Sequence, residues 1–325
     1  MNGRSAPAFV AVSTNPAIDR VARIEGAPSG VVAAQELLET PGGKAVHAAC
    51  VAAELGADTA IVTTAGGRSG EQLLALLAAE PLDVDPVPVA ASTRGTYTLV
   101  GDAGDLVEVH EPAGTLTAAE ADRLVSALAE VAAGPRVVAV CGSLPPGAPT
   151  DLHARLIAAA RELGAFTILD CSSAEALAAA LAEGPDLVAP NLAEAGRLLG
   201  ARIDPAPSDA ELAAITDAFA DRGAASVWLS LGPQGSVLAT TEGCFRLAAI
   251  PPERVVNAVG CGDALTGGLA AGLIDGMAVR RAAALGAAAA TEKLAHLHPG
   301  RVDRGAVEAL FPLVDIAPLP TEAVS

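Results

Sequence analysis

Short apolar runs typical of β-strands alternate with alanine-rich runs typical of helices along most of this chain. FVAVS (9–13), DTAIVTTAG (58–66) and RVVAVCG (136–142) are strand-like, whereas the run GKAVHAACVAAELG (43–56) favours a helix that ends at a glycine. Strands that are mostly apolar and separated by helices are typical of a parallel sheet that helices cover on both faces. The pattern therefore predicts an α/β fold with a mainly parallel sheet.

The remaining segments extend this alternation. Thr117, followed three residues later by Glu120, predicts a helix that begins with a capping box. Residues 234–248 favour a hairpin that turns at Glu242 and Gly243. Further helices are predicted at 70–80, 117–133, 150–163, 173–182, 192–199, 208–222, 261–275, 278–295 and 303–310, and further strands at 166–170, 186–190 and 226–230.

Two segments interrupt the alternation, at 20–40 and at about 87–110. Each looks like short strands joined by turns, with no helix between them. We expect these strands to form a small separate sheet that projects from the core. Since no internal repeat or low-complexity linker is visible, we interpret residues 1–325 as one domain with a strand-built appendage.

Charge and cysteine content exclude several classes of function. The formal net charge of −18 argues against partners that are themselves polyanions, such as nucleic acids and acidic membranes. The five cysteines are scattered and never spaced as CxxC, which favours a reducing cytoplasm over a disulfide framework or a structural zinc site. No apolar run is long enough to cross a membrane, and the first residues lack the pattern of a secretory signal. We therefore expect a cytoplasmic protein.

The stretch VGCGD (259–263) is the most distinctive candidate site. Glycines at 260 and 262 let the first N–H groups of a helix approach an anion, and the helix dipole favours negative charge there. Asp263 cannot receive an anion itself, but it can take a proton from a hydroxyl while its neighbours hold a transferring phosphoryl group. The alternative is that Asp263 only caps the helix.

Other unusual stretches follow predicted strands, where ligands gather in an open parallel sheet. They are STNPAID (13–19), CGSLPPGAP (141–149), APNLAE (189–194) and SLGPQG (230–235). Lys44, in TPGGKAV, is one of only two lysines and could supply charge for a phosphate, or it could be an exposed lysine after a turn. Asn191 and Glu194 fit either a hydrated Mg²⁺ site or a capping box. A lone strand arginine such as Arg94 usually lies on a solvated face.

Together these residues resemble the PfkB (ribokinase-like) carbohydrate kinases, from about residue 9 to about residue 300. Within that family the chain is most similar to the branch of 1-phosphofructokinase and tagatose-6-phosphate kinase. The segments that carry the resemblance are TNPAID, PGGKAVHAACVAAELGA, CGSLPPGAP, APNLAE, LSLGPQG and VVNAVGCGDALTGGLAAGL, of which the last is highly specific. The resemblance implies a three-layer, Rossmann-like α/β core with a small β-sheet lid. It also implies phosphoryl transfer from ATP, with Mg²⁺, to the hydroxyl of a sugar, and a homodimer formed through the lid.

The resemblance also assigns roles by position. Asp263 becomes the catalytic base, with the N–H groups of Gly260, Cys261, Gly262 and Asp263 as the anion hole. The implied substrate-binding residues are Asp19, Gly42, Gly43, Lys44, His47, Arg94 and Ser143. The implied nucleotide-binding residues are Asn191, Ser230, Gly232 and Gly235, with Glu194 near the metal through water.

The chain departs from the family pattern in three places, which leaves the substrate open. In GGKG-x-N, Ala45 replaces the last glycine and His47 replaces the asparagine; His47 could add charge at lower pH. Ala33 or Ala34 stands where the branch has a basic residue, and Ala189 replaces the lysine of KPN. A ketohexose phosphate is the first candidate substrate. An unphosphorylated sugar or a nucleoside is the alternative, and a sugar- or nucleotide-binding regulator with a decayed active site is a third.

Overall fold

The computed structural model describes residues 7–102, 105–131, 134 and 136–320. Within these ranges the strands follow the predicted runs closely. They are β1 (Phe9–Ser13), β2 (Ala17–Ile24), β3 (Ala34–Gly42), β4 (Thr59–Ala65), β5 (Asp83–Pro88), β6 (Arg94–Val100), β7 (Leu106–His110), β8 (Val137–Gly142), β9 (Phe166–Cys171), β10 (Leu187–Val188), β11 (Val227–Ser230), β12 (Ser236–Thr240), β13 (Gly243–Leu247) and β14 (Ile316–Pro318).

The helices also lie where the sequence predicts them, with ends that differ by at most three residues. They are α1 (Lys44–Glu54), α2 (Gly67–Leu77), α3 (Ala118–Glu130), α4 (Leu152–Glu162), α5 (Ala174–Leu181), α6 (Leu192–Leu199), α7 (Asp209–Ala220), α8 (Cys261–Ile274), α9 (Val279–Lys293) and α10 (Arg304–Leu310). The capping box predicted for Thr117 and Glu120 is confirmed. Among the described residues, no helix combines the length and the apolar character that crossing a lipid bilayer requires.

The main sheet has the strand order β14-β13-β12-β11-β10-β9-β8-β1-β4-β5. Strands β11 to β5 in this order pair in parallel, and β12 to β14 add an antiparallel edge. In β1, Val10 and Val12 pack on one face, with α3 to α7, while Phe9 and Ala11 pack on the other, with α1, α2, α8 and α9. Burial on both faces explains why the strands lack polar alternation, and it confirms the predicted three-layer α/β fold.

A second, smaller sheet has the order β3-β2-β6-β7, and we call it the lid. Its strands leave the core between β1 and α1 and between β5 and α3, as the interrupted alternation predicts. The expected limits of the second lid segment need one correction: residues 87 and 88 belong to β5 of the main sheet, because they continue its parallel pairing with β4. The hairpin β12–β13 turns at residues 241–242, one position earlier than expected, because Thr240 pairs with Gly243.

Candidate active site

The start of α8 exposes backbone N–H groups to a cleft. Gly260 has a φ of 87°, and a Cβ atom there would lie 2.2 Å from the carbonyl oxygen of Pro299, so only glycine fits. Cys261 N–H makes a long contact of 3.4 Å with the carbonyl oxygen of Ala258. Within the described residues, the N–H groups of Gly262 and Asp263 have no acceptor. The first turn of α8 is therefore free to receive an anion, as the sequence predicts.

Asp263 is buried and paired with a histidine rather than capping its own helix. Its Oδ2 lies 2.6 Å from Nδ1 of His47, and α8 has no side-chain cap. Nε2 of His47 lies 2.8 Å from Oδ2 of Asp19, whose Oδ1 accepts the hydroxyl of Thr96 at 2.6 Å. Asp19, His47 and Asp263 thus form a continuous buried chain, which we call the histidine cluster. It brings together lid strand β2 and helices α1 and α8.

His47 carries charge in this cluster at neutral pH. Burial alone would lower its pKa, but the hydrogen bonds and charges of Asp19 and Asp263 outweigh burial and raise the pKa to about 9. Burial likewise opposes ionisation of Asp19, yet His47 and Thr96 hold the pKa of Asp19 below its ordinary value. The sequence allows a charge on His47 at lower pH, and the carboxylate that faces each ring nitrogen extends this charge to neutral pH.

A second cation, Lys44, is paired with two carboxylates and lines one cleft together with Gly260 and Gly262. Nζ of Lys44 contacts Oδ1 of Asp170 at 2.6 Å and Oε1 of Glu194 at 2.9 Å, and we call these three residues the lysine cluster. Burial favours the neutral amine, but the two carboxylates outweigh it and raise the pKa of Lys44 above its ordinary value. Burial raises the pKa of Asp170 despite the ammonium. Lys44 is therefore not the exposed lysine of a simple turn.

Asn191 and Glu194 do form the capping box that the sequence allows. The side chain of Asn191 accepts the N–H of Glu194 at 2.9 Å, and Oε2 of Glu194 accepts the N–H of Asn191 at 3.1 Å. The other oxygen of Glu194 is the one that contacts Lys44. The capping box therefore holds the carboxylate of Glu194 in the orientation in which it contacts Lys44.

The lysine cluster and the anion hole line the same cleft, of about 370 Å³. Asn191, Ser230 and Ala189 line it from the strand ends, and Glu108 reaches it from the lid. A Cβ at Gly262, which also lines the cleft, would meet no atom within 4 Å. The backbone at this position is thus left open for a ligand. Lys44 lies on this side, with the predicted nucleotide-binding residues, rather than beside Arg94.

Gly232 and Gly235 lie just beyond Ser230, in the turn that joins β11 to β12. Their φ angles are 60° and 87°. Neither glycine is among the described residues that line the cleft.

The side chain of Cys261 is partly buried, and burial raises the pKa of its thiol to about 11, so the thiol is neutral.

The remaining predicted sugar-side residues flank the histidine cluster. A Cβ at Gly42 would overlap the carboxylate of Asp19, at 2.2 Å, so glycine is required there. Gly43 follows it as the residue that precedes α1. Arg94 lies in β6, within electrostatic range of Asp19, and lines a narrow second pocket with Asn15.

Arg94 is not on a solvated face, contrary to the usual behaviour of a lone strand arginine. Its Nε atom is buried and has no hydrogen-bond partner within the described residues. Burial lowers the pKa of its guanidinium, while Asp19 and Glu111 act in the opposite direction. A buried donor without an acceptor points to a missing anionic or polar ligand. Ser143, predicted for the same side, accepts Nδ2 of Asn15 at 2.8 Å.

Comparison with known proteins identifies the family of this chain. The chain matches the family described as "pfkB family carbohydrate kinase" over residues 9–300. The chain belongs to the PfkB family. It is therefore an ATP-dependent carbohydrate kinase, as the resemblance implies.

Individual relatives within the PfkB family agree with this membership. The chain is 31% identical to the ATP-dependent 6-phosphofructokinase isozyme 2 of Mycobacterium tuberculosis, covering 97% of this chain and 91% of the relative. It is 32% identical to the 1-phosphofructokinase of Rhodobacter capsulatus, covering 95% and 97%. The structure of phosphofructokinase-2 from Escherichia coli in complex with potassium superposes with a TM-score of 0.84 at 27% identity, covering 94% and 99%.

Three residues near the candidate site were not named as site residues from the sequence. Asp170 ends a predicted strand and Asn15 follows one in STNPAID, so the place of each at the carboxyl edge of the sheet was a usable signal. Thr96 carried no such signal, because its partner Asp19 is 77 residues away in sequence. Residue type and spacing alone do not reveal such pairings.

The lysine cluster also bears on metal binding. Within the described residues, no group of three or more His, Cys, Asp or Glu side chains is arranged to hold a metal. Mg²⁺ keeps several of its waters in phosphoryl-transfer enzymes and takes one or two carboxylates together with substrate phosphates. The carboxylates of Asp170 and Glu194, beside the cleft, fit that modest requirement.

Proposed function

We propose that this kinase transfers the γ-phosphoryl group of ATP to a hydroxyl of a ketohexose phosphate. The observation that carries the proposal is Asp263, a buried carboxylate in the first turn of a helix whose neighbouring N–H groups are free. A base and an anion hole are thus adjacent. Phosphoryl transfer to an alcohol needs both.

The proposed mechanism divides the two oxygens of Asp263 between two tasks. Oδ2 is held by His47, which leaves Oδ1 to take the proton of the attacking hydroxyl. The hydroxyl oxygen forms its bond to the γ-phosphorus as the bond to the β,γ-bridging oxygen breaks, and ADP leaves. The N–H groups of Gly262 and Asp263 stabilise the charge on the travelling group. Asp19, fixed by His47 and Thr96, orients the sugar.

We place the nucleotide in the cleft beside the lysine cluster. Lys44 supplies a permanent positive charge for the phosphates, and Asn191 and Ser230 line their approach. Glu194, with Asp170 nearby, would hold a hydrated Mg²⁺ through water. When bound, this ion would neutralise charge on the phosphates.

Arg94 supports a substrate that already carries a phosphate. Its buried Nε lacks an acceptor, and it lies on the sugar side with Asn15 and Ser143. The named relatives act on fructose phosphates, by their names. The alternative substrate, an unphosphorylated sugar or a nucleoside, is favoured by Ala33 and Ala34, which place no basic group at the start of β3.

Asp263→Asn tests the mechanism. We expect kcat to fall by about 10²–10⁴-fold, since the amide cannot take the proton, while ATP binding persists. Turnover is measured by coupled ADP release and ATP affinity by calorimetry. A mutant with near wild-type turnover would remove Asp263 from the mechanism. A wild-type protein that shows no ATP turnover with any sugar tested would favour the alternative of a regulator with a decayed active site.

An ATP-consumption screen identifies the substrate. The panel is fructose 1-phosphate, fructose 6-phosphate, tagatose 6-phosphate, free hexoses and nucleosides. We expect activity on a ketohexose phosphate, and we expect Arg94→Met to raise its KM by about 10–100-fold, because a charge-assisted hydrogen bond is lost. Activity confined to uncharged acceptors would overturn the assignment.

We further propose that residues 1–325 act as one domain that dimerises through the outer face of the lid. Leu37, Ala22, Leu99 and Val107 lie in one cross-strand row on that face. Leu37 and Val107 are 65% and 42% exposed, an apolar surface that a second copy would cover. Light scattering should show a wild-type dimer and a Val107→Lys monomer. A wild-type monomer would exclude this interface.

We also propose a cytoplasmic location. The support is the state of the cysteines: Cys50, Cys141, Cys171, Cys244 and Cys261 are all free thiols.

A further inference from the structure

Lys293 is a fully buried lysine that the proposed mechanism does not use. It is the last residue of α9, and its side chain has 0% exposure. Burying an ammonium group is costly unless a partner compensates for the lost water. Within the described residues, no carboxylate lies at salt-bridge distance from Nζ of Lys293. The neighbouring carboxylate of Glu292 is engaged elsewhere, with His296 and with the N–H of Asp303.

The ammonium instead contacts the segment that leads into the anion hole. Nζ of Lys293 donates to the carbonyl oxygen of Asn257 at 2.7 Å. The side chain of Asn257 is also fixed, since its Nδ2 donates to the carbonyl of Leu297 at 2.8 Å and its Oδ1 accepts the N–H of Val259 at 2.9 Å. Gly260, where the hole begins, follows directly.

The same ammonium lies within electrostatic range of the hole itself. Burial lowers the pKa of Lys293 to about 8, whereas Cys261, Asp263 and Glu292 act in the opposite direction. The charged form is therefore the main one at neutral pH. A cation kept here despite its burial adds positive potential behind the N–H groups that would receive the phosphoryl group.

We propose that Lys293 is a positioning residue, a cation built into the chain that fixes residues 257–260 and strengthens the anion hole. The inference rests on the proposed anion hole at 260–263. In this arrangement α9, which does not line the cleft, contributes to catalysis through the carbonyl of Asn257. An ammonium group that is buried without a carboxylate adds little to the stability of the protein. We therefore expect Lys293 to affect the rate of the reaction rather than the stability of the fold.

Lys293→Met distinguishes a role in catalysis from a structural role, because methionine fills the space of the lysine side chain without its charge. We expect kcat to fall by about 10–100-fold with KM for ATP nearly unchanged, and the thermal midpoint to stay equal or rise. A variant with wild-type kcat would overturn the proposal. So would a lower kcat together with a lower thermal midpoint and a raised KM, which would mark a structural role.

Lys293→Ala provides the second readout, chemical rescue. The truncated side chain leaves space beside the carbonyl of Asn257, and methylammonium can restore the missing charge there. We expect added methylammonium to recover at least tenfold in kcat for this variant and to leave the wild type unchanged. Absence of rescue, or failure of both variants to fold, would assign Lys293 to the core and overturn the proposal.

Arg136→Met is the matched control. Arg136, which directly precedes β8, donates to the carbonyl of Ile274 at the opposite end of α8, so this change removes a cation that contacts the same helix far from the proposed anion hole. We expect its kcat to match the wild type. Since Asp263→Asn tests the catalytic base of the proposed mechanism, an active Asp263→Asn variant would refute that mechanism, whereas an active Lys293→Met variant would refute only this inference.

Discussion

The candidate site contains two cations, each between two carboxylates. The cation is a lysine in the lysine cluster and a histidine in the histidine cluster, and this difference decides how the two clusters behave. In the lysine cluster the charge is permanent, because the pKa of Lys44 is raised from an already high value. In the histidine cluster the charge depends on pH, because the pKa of His47 is raised only to about 9. The histidine cluster also contains the proposed base. In the proposed mechanism, the titratable residue His47 therefore lies near the reacting hydroxyl, and the permanently charged Lys44 lies near the phosphates.

Burial reinforces the difference. The side chains of the histidine cluster are 5–11% exposed, whereas the side chain of Lys44 is 28% exposed to the cleft. Water can reach the ammonium of Lys44 and screen its charge, whereas it reaches the imidazolium of His47 much less; the carboxylates of both clusters are buried. The same substitution should therefore cost more stability in the histidine cluster.

The largest expected effect is that of His47→Ala on stability. Removing the imidazolium leaves two buried carboxylates unpaired, so the free energy of unfolding should fall by about 3–5 kcal/mol, measured by urea denaturation at pH 7. Lys44→Ala is the comparison and should cost less, because Lys44 is 28% exposed and water from the cleft can take the place of its ammonium group. Equal losses in the two variants would contradict the distinction between the clusters.

Lys44→Met should act on nucleotide binding. Loss of a charge-assisted contact with phosphate is expected to raise KM for ATP by about 10–100-fold, with a smaller change in KM for the sugar. Steady-state kinetics with each substrate varied in turn distinguishes the two. If KM for the sugar rose more than KM for ATP, Lys44 would belong to the sugar side.

A further effect concerns the pH dependence of stability. The pKa of His47 is about 9 in the folded protein against 6.5 in the unfolded chain. Its pairing therefore stabilises the fold fully below about pH 6.5, and this stabilisation is lost as pH rises through about 9. The thermal midpoint of the wild type, relative to His47→Asn, should fall across that window.

His153→Gln is the control for this pH dependence. His153 is buried as well, but burial lowers its pKa to about 4, so it does not titrate between pH 6.5 and 9. Its difference from the wild type should be independent of pH in that window. A constant difference between the wild type and His47→Asn would show that His47 does not titrate there either.

The sequence predicted the fold better than the site. Local patterns carry strands and helices, so β1 and α6 were predicted with their observed limits. The pairing of His47 with Asp263 joins residues 216 apart, and no local pattern encodes it. The sequence therefore did not show that His47 is charged at neutral pH, since one ring nitrogen meets a carboxylate from the lid and the other meets one from α8.

The central claim is that His47 is a charged imidazolium that holds Asp19 and Asp263 at neutral pH. Nitrogen-15 NMR of the histidine-labelled protein tests it directly, with His47→Asn assigning the signal. We predict that both ring nitrogens of His47 carry protons from pH 6 to about 8 and that one proton is lost near pH 9. A neutral ring at pH 7, with one unprotonated nitrogen, would contradict the account.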